Sequence, residues 1–255
     1  MILFVFEGKK REPDIFKTIE YLHFPKGQTI VCSFGNNIYE LYRQLCELDG
    51  AGDIVSLLRE RHAGKHGSPF APDVKSSDFS EIFLFFDYDF QNKNLTLDQM
   101  NERLTRMLKM FSDETDAGKL YINYPMIEAL RYTKQLPDAD FPSYVISRQE
   151  CQEKDFKDLA SQFSAYGSLD FIVLDFRKKP SVKTVGKVKR NWSLLQNQHT
   201  AKANYLCTGD LAIPASKQAI SQFRIFESQL EQYILPSDSV AILSAFPIFL
   251  FEYFK

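Results

Sequence analysis

The sequence contains no Cys-x-x-Cys pair, and its four cysteines lie far apart, at Cys32, Cys46, Cys151 and Cys207. This spacing argues against a disulfide framework and against a zinc site built from thiolates. We therefore expect all four to be reduced, buried thiols, as is usual in a cytoplasm.

The sequence also lacks a long hydrophobic run and the pattern of an export signal. Its first residues form a short apolar stretch, without the cationic start, long apolar region and cleavage site of a signal peptide. The most apolar segment, residues 240–251, is too short to cross a bilayer and contains Pro247. We predict a cytoplasmic protein with no membrane partner, and a buried terminal helix at 240–251.

No P-loop is present, so any ATP hydrolysis coupled to this protein would come from a partner. With 44% apolar and 25% charged residues, the composition is that of an ordinary globular protein, which excludes a disordered chain. The 255 residues are enough for one large domain, or for an ordinary domain with a smaller one.

Acidic residues are absent between Phe176 and Gly209, although the net charge of the chain is -2. A run of basic residues is usually a solvated surface, but one of this length can also contact phosphate. Trp192 and Tyr205 could stack on bases, although the helical spacing of Trp192 favours a place in the core. The candidate nucleic-acid-binding residues belong to this stretch and to a basic group near the N-terminus: Lys9, Lys10, Arg11, Arg177, Lys178, Lys179, Lys183, Lys187, Lys189 and Arg190.

Strand and helix patterns alternate over the first part of the chain. The predicted strands are residues 2–6, 28–34, 81–86 and 119–125. The predicted helices are residues 14–22, 35–49, 97–111 and a segment beginning at 126. Such alternation predicts an open, mostly parallel sheet with helices on both faces. Further on, helices with irregular links follow, and 169–176 could be a strand or a buried helix turn. We predict an α/β domain over residues 1–140 and a mainly helical region over 141–255.

Carboxylates follow three of the predicted strands. Glu7 comes after the first strand, Asp87 and Asp89 come after the third, and Glu128 comes just after the fourth. Functional side chains collect at this edge of parallel sheets. In extended backbone, Asp87 and Asp89 would point the same way and could bind one ion, while Tyr88 would point away. Oxygen ligands alone suit Mg²⁺ or Mn²⁺ and do not suit zinc.

Each of these carboxylates also has a purely structural interpretation. An Asp-x-Asp can cap the turn that follows it. Glu12 and Glu128 lie at predicted helix starts, where the helix dipole favours acids. Glu7 and the Asp-x-Asp are nevertheless predicted at the same edge of the sheet, and this favours a metal site. The candidate ligands are Glu7, Glu12, Asp87, Asp89 and Glu128.

The pattern resembles the Toprim fold, in which a glutamate and a glycine close the first strand and an Asp-x-Asp closes a later one. Here these residues are Glu7-Gly8 and Asp87-Tyr88-Asp89. The stretch "EGKKREP" is most similar to small stand-alone Toprim proteins of bacterial defence loci, the RloB-like and OLD-like nucleases. Neither a tyrosine nucleophile nor a primase zinc module can be identified, which favours the nuclease branch of the family.

The resemblance implies a Mg²⁺- or Mn²⁺-dependent nuclease that cleaves phosphodiester bonds in DNA or RNA and acts in defence against phage. Glu7 would then be the general acid or base, and Asp87 and Asp89 would hold the metal. An ABC-type ATPase is implied as a partner. Two other functions stay open: a non-catalytic interaction subunit of an ATPase-containing complex, and a hydrolase of small phosphate esters.

Overall fold

The structure is a computed structural model that describes residues 1–47, 53–62, 70 and 73–254. The chain divides into two compact units. The first comprises Met1–Phe86 and Leu95–Tyr121, and the second comprises Asp87–Asn94 together with the chain from Ile122 onward. The predicted boundary between residues 140 and 141 falls inside the second unit.

A five-stranded sheet forms the centre of the first unit. Its strands are β1 (Ile2–Phe6), β2 (Thr29–Ser33), β3 (Glu81–Asp87), β4 (Ser112–Asp113) and β5 (Gly118–Asn123). Their order across the sheet is β2-β1-β3-β5-β4. The β1 strand pairs in parallel with β2 and with β3, while the short β4 runs antiparallel to β5. The predicted α/β class with a mostly parallel sheet is thus confirmed.

The helices of the first unit are α1 (Arg11–His23), α2 (Ile38–Glu47), α3 (Ile54–His62) and α4 (Leu97–Met110). The patterns at 14–22 and 97–111 predict α1 and α4 correctly. The helix predicted over 35–49 is present as α2, and its last two positions lie outside the described residues. The sequence pattern does not predict α3, because a helix of nine residues offers few apolar repeats.

The core of the first unit is rich in aromatic rings. All five residues of β1 are buried, as expected for a strand covered on both faces. The ring of Phe4 lies 4.0 Å from that of Phe16 on α1 and 5.3 Å from that of Phe83 on β3. This packing fixes the strand that leads into Glu7.

The second unit is mainly helical, which confirms the prediction of a helical C-terminal region. It contains α5 (Arg148–Glu153), α6 (Phe156–Phe163), α7 (Val182–Thr208), α8 (Gln222–Gln229), α9 (Leu235–Ser237) and α10 (Ala245–Phe254). A π-helical segment, Leu230–Ile234, joins α8 to α9. Two short antiparallel strands, β6 (Val145–Ser147) and β7 (Ser239–Ala241), complete it.

Of the two alternatives left open for residues 169–176, the structure has a turn and no strand: the N–H groups of Ile172 and Val173 both donate to the carbonyl of Leu169. Two other predicted segments differ in the structure. The segment after 126 is a short 3₁₀ helix, Ile127–Arg131, instead of an α-helix. The apolar run 240–251 is only partly helical, because its first residues pair with β6 as β7 and α10 begins at Ala245.

None of the helices in the described ranges combines the length and the apolar character needed to cross a membrane. The four cysteines form no disulfide. Cys32 and Cys151 are buried as predicted, but Cys46 is exposed and Cys207 is partly exposed. The prediction of burial was therefore wrong for Cys46, which lies on the solvent side of the amphipathic helix α2.

Candidate functional site

Glu7 follows β1, at the carboxyl end of the parallel strands of the first unit. Its N–H donates to the carbonyl of Phe85 on β3 (3.0 Å), and its carbonyl accepts from the N–H of Gly35 (2.9 Å). Gly35 has φ +77°, and a Cβ there would lie 2.6 Å from Cε of Lys9. The backbone of Glu7 is thus fixed from both sides by the sheet, and its side chain is partly buried.

Glu12 lies in the first turn of α1 and is only 6% exposed. Its Oε1 accepts a hydrogen bond from the N–H of Gly8 (3.1 Å). A Cβ on Gly8 would overlap the Glu12 carboxylate, so the glycine of the Glu-Gly pair makes room for this side chain. Burial raises the pKa of Glu12, while the N–H groups of Glu12 and Gly8 lower it less. These contacts give Glu12 a structural role at the start of α1, and its part in metal binding stays a prediction.

Asp87 is the last residue of β3 and is 4% exposed. Its Oδ1 accepts a hydrogen bond from Nδ2 of Asn123 (3.0 Å), the last residue of β5. The amide of Asn123 can therefore hold the Asp87 carboxylate in one orientation. Asn123 was not among the residues predicted from the sequence. Like Asp87, Asn123 is a polar residue at the end of an apolar strand, and this pattern could have identified it from the sequence.

The backbone is not extended through the whole Asp-x-Asp, so this prediction was wrong at Asp89. The strand ends at Asp87, and Asp89 adopts a left-handed conformation with φ +58°. Aspartate is one of the few residues other than glycine that enter this region, and such positions are enriched at functional sites. The N–H of Asp89 donates to the carbonyl of Pro125 (3.2 Å), and its Oδ1 accepts from Nε2 of Gln91 (2.6 Å).

The side chain between the two aspartates belongs to the core of the second unit. Tyr88 is fully buried, and its ring stacks on Phe90 at 5.4 Å and contacts Tyr124 at 5.7 Å. Its N–H donates to the carbonyl of Asn123 (3.0 Å). The Asp-x-Asp is therefore anchored through its central residue, while Asp89 is partly exposed.

Glu128 lies in the 3₁₀ helix Ile127–Arg131 of the second unit and is 3% exposed. The sequence predicted Glu128 in the first turn of an α-helix, but no α-helix forms at this position. Its role as a ligand therefore stays a prediction that rests on its position after β5.

Asp87, Asp89 and Asn123 belong to the second unit, where Asn123 contacts Asp87, whereas Glu7 and Glu12 belong to the first unit. Across the described parts of the chain, no group of three or more His, Cys, Asp or Glu residues is arranged to hold a metal ion. Mg²⁺ commonly binds through only one or two carboxylates, with water and substrate phosphate as the other ligands. The carboxylate oxygens of Asp87 and Asp89 are the type of ligand that such an ion prefers, and the hydrogen bond from Asn123 orients one of them.

The basic residues of the C-terminal stretch differ in how available they are. Arg177 binds the carboxylate of Asp175 with Nε (2.8 Å) and Nη2 (3.0 Å), and this pair lowers the pKa of Asp175 to about 2. Lys202, in contrast, is buried, and its Nζ donates to the carbonyls of Phe141 (3.1 Å) and Tyr144 (2.6 Å). The exposed cations of the stretch are Arg177, Lys178, Lys179, Lys183, Lys187, Lys189 and Arg190.

Three of these cations form a stripe along the first turns of α7. Lys183, Lys187 and Arg190 are spaced by four and three residues, so they lie on one helical face. We call these three residues the basic stripe. Trp192 is buried and donates from Nε1 to the carbonyl of Ile172 (2.8 Å), so its ring belongs to the core as its spacing predicted. In the first unit, Lys9 and Lys10 are exposed and Arg11 is partly exposed.

No family model, no curated protein and no solved structure matches this chain. The interpretation of the site therefore depends on its residues. The likeness to the Toprim fold stays a hypothesis supported by the Glu-Gly and Asp-x-Asp positions.

Proposed function

We propose that this protein is a Toprim-like, Mg²⁺- or Mn²⁺-dependent nuclease that hydrolyses phosphodiester bonds in DNA or RNA. The observation that carries the proposal is the Asp-x-Asp at the end of β3, with Asp87 buried against an amide donor and Asp89 in a left-handed conformation. In this proposal Asp87 and Asp89 hold the metal, and Glu7 is the general acid or base. A bound Mg²⁺ would stabilise the charge that develops on the phosphate and on the leaving oxygen.

The exposed lysines and arginines supply the contact with the substrate in this proposal. Nucleic acid binds proteins largely through its phosphates, and the basic stripe presents three cations on one face of α7 without an acid on that helix. Lys9, Lys10 and Arg11 follow the proposed general acid or base in the chain and would contact phosphate near it.

The biological setting follows from the resemblance. As an effector of antiphage defence, the protein would act in the cytoplasm, and the resemblance also implies an ABC-type ATPase as its partner. The chain itself contains no P-loop. Co-purification from the native host should recover such an ATPase. Recovery of the chain without any ATPase would contradict this part of the proposal.

Replacing both aspartates, in Asp87→Asn/Asp89→Asn, is expected to lower Mg²⁺-dependent cleavage about a hundredfold or more. The change removes the charge of two metal ligands, which is worth several kcal/mol in the transition state, while it keeps the side-chain shapes. Cleavage of mixed DNA and RNA substrates, in Mg²⁺ and in Mn²⁺, measures the effect. Glu7→Gln should have a comparable effect because it removes the group that handles the proton.

Asp138→Asn provides a matched control for that experiment. Asp138 is a buried aspartate of the same unit, and its Oδ2 accepts hydrogen bonds from Thr133, Lys134 and Tyr144. We expect this variant to be less stable but to cleave at nearly the wild-type rate where it is folded. Equal cleavage by the wild type and the Asp87/Asp89 variant would exclude the proposed site.

A non-catalytic interaction subunit is the second candidate function. It is favoured by the internal hydrogen bond of Asp87, and by the lack, in the ranges that the structure describes, of a cluster of three or more metal-ligating side chains. This function predicts neither cleavage nor affinity for Mg²⁺. A hydrolase of small phosphate esters would instead turn over a panel of such esters and leave polynucleotides intact.

The basic stripe gives a separate prediction for substrate binding. Lys183→Gln/Lys187→Gln/Arg190→Gln should weaken binding of DNA or RNA and reduce the slope of log K against log salt by about 2 to 3, because three phosphate contacts are lost. Fluorescence anisotropy over a range of salt concentrations measures both quantities. Lys217→Gln is the control, since Lys217 is also an exposed lysine of the second unit but lies outside α7. A triple variant with an unchanged slope would place the nucleic acid elsewhere.

A further inference from the structure

The side-chain amide of Asn123 has only one possible orientation. Its Oδ1 accepts hydrogen bonds from the N–H of Ala245 (2.9 Å) and from Oγ of Ser244 (3.0 Å). A backbone N–H can only donate, so the atom that faces it must be the carbonyl oxygen. The amide nitrogen is thereby directed toward Oδ1 of Asp87, at 3.0 Å.

In this orientation, Asn123 presents a hydrogen-bond donor to Asp87 and not an acceptor. Nδ2 of Asn123 can only donate, so it faces an oxygen of the Asp87 carboxylate that accepts the hydrogen bond. Asn123 is 1% exposed, so water does not compete for this bond. The result is an aspartate whose carboxylate is held in one position.

The donors to Asn123 are themselves fixed. Ser244 precedes α10, and its N–H donates to Nδ1 of His199 on α7 (3.0 Å). The antiparallel bridge between Tyr124 and Leu243 holds the same segment, with hydrogen bonds of 2.8 and 3.0 Å in the two directions. Ser244 and His199 are fully buried. The start of α10 is therefore tied both to the end of β5 and to α7.

We propose that Asn123 is a positioning residue for the metal-binding Asp87, and that Ser244 and the start of α10 fix the orientation of its amide. The proposal rests on the proposed function, since it assigns Asp87 to a metal. Side chains that hydrogen-bond a ligating carboxylate orient it, and their loss typically weakens metal affinity by about 10- to 100-fold. Asn123 would act through Asp87 and would not touch the substrate.

Measuring Mn²⁺ affinity distinguishes a positioning role of Asn123 from a purely structural one. We expect Asn123→Ala to weaken Mn²⁺ binding to the full chain about tenfold or more, and Ser244→Ala to weaken it less, because the N–H of Ala245 remains. Asn204→Ala is the matched control. Asn204 is also a buried asparagine of the second unit, and its Nδ2 donates to the carbonyls of Asp210 (3.0 Å) and Ala212 (2.9 Å). This control should lose thermal stability to a similar extent but keep its Mn²⁺ affinity.

A second readout does not depend on the metal. In NMR spectra of the full chain, the side-chain amide signal of Asn123, assigned by its loss in Asn123→Ala, should shift in Asp87→Ala and move little in Asp138→Asn. Equal Mn²⁺ affinities in the wild type and Asn123→Ala would overturn the proposal. Failure of the wild type to bind Mn²⁺ would overturn the proposed metal site. An Asn123 signal that is unchanged in Asp87→Ala would overturn the positioning contact itself.

Discussion

Phe4→Ala is expected to lower the free energy of unfolding by about 4 kcal/mol, the size typical of removing a buried phenyl ring from a packed core. Phe4 is 0% exposed and lies at the centre of an aromatic cluster. Its ring centroid lies 4.0 Å from that of Phe16, 5.3 Å from Phe83 and 5.6 Å from Phe24. Phe16 lies on α1, Phe24 directly follows α1 and Phe83 lies on β3, so the cavity cannot close by the movement of one ring. The cost should therefore lie within the usual range of about 3 to 5 kcal/mol.

Urea unfolding followed by circular dichroism measures this loss, and Tyr21→Ala provides the control. Tyr21 lies on α1 but is 51% exposed, so its removal should change the unfolding free energy by less than about 0.5 kcal/mol. A loss below about 1 kcal/mol in Phe4→Ala would be too small for a buried ring and would contradict the described core.

The strands that lead to the candidate site could be predicted from local pattern. Residues 2–6 and 81–86 are unbroken apolar runs apart from Glu81, and buried parallel strands have this signature. The charged residue that ends each run then marks the carboxyl end of the strand. This is why the amino-acid sequence alone places Glu7 and Asp87 at strand ends.

The surroundings of Asp87 could not be predicted in this way. Asn123 and Ser244 are separated by 121 residues, and no local periodicity connects two positions so far apart. Asp89, in its left-handed conformation, donates from its N–H to the carbonyl of Pro125, which is again a contact between distant parts of the chain. Local pattern shows where a strand ends, and only the packing of the second unit determines which side chains meet there.

His199 gives the protein an acid-sensitive contribution to stability. It is fully buried on α7, where burial, with a smaller contribution from Lys202, lowers its pKa to about 3. In the unfolded chain its pKa is about 6.5. Above pH 6.5 the imidazole is neutral in both states and has no effect. Below it, the unfolded chain takes up a proton that the folded protein cannot accept, so stability falls by about 1.4 kcal/mol per pH unit until the pH nears the folded pKa.

His199→Asn should isolate this effect, because the Asn oxygen can take the place of Nδ1 as the acceptor for the N–H of Ser244. Other groups titrate in the same window, so the measured quantity is the difference in unfolding free energy between wild type and variant. Between pH 6.5 and pH 5 we expect this difference to move by about 2 kcal/mol against the wild type. Urea unfolding at several pH values measures it. Parallel curves for the two proteins would mean that folding does not lower the pKa of His199, and would contradict the full burial of its imidazole.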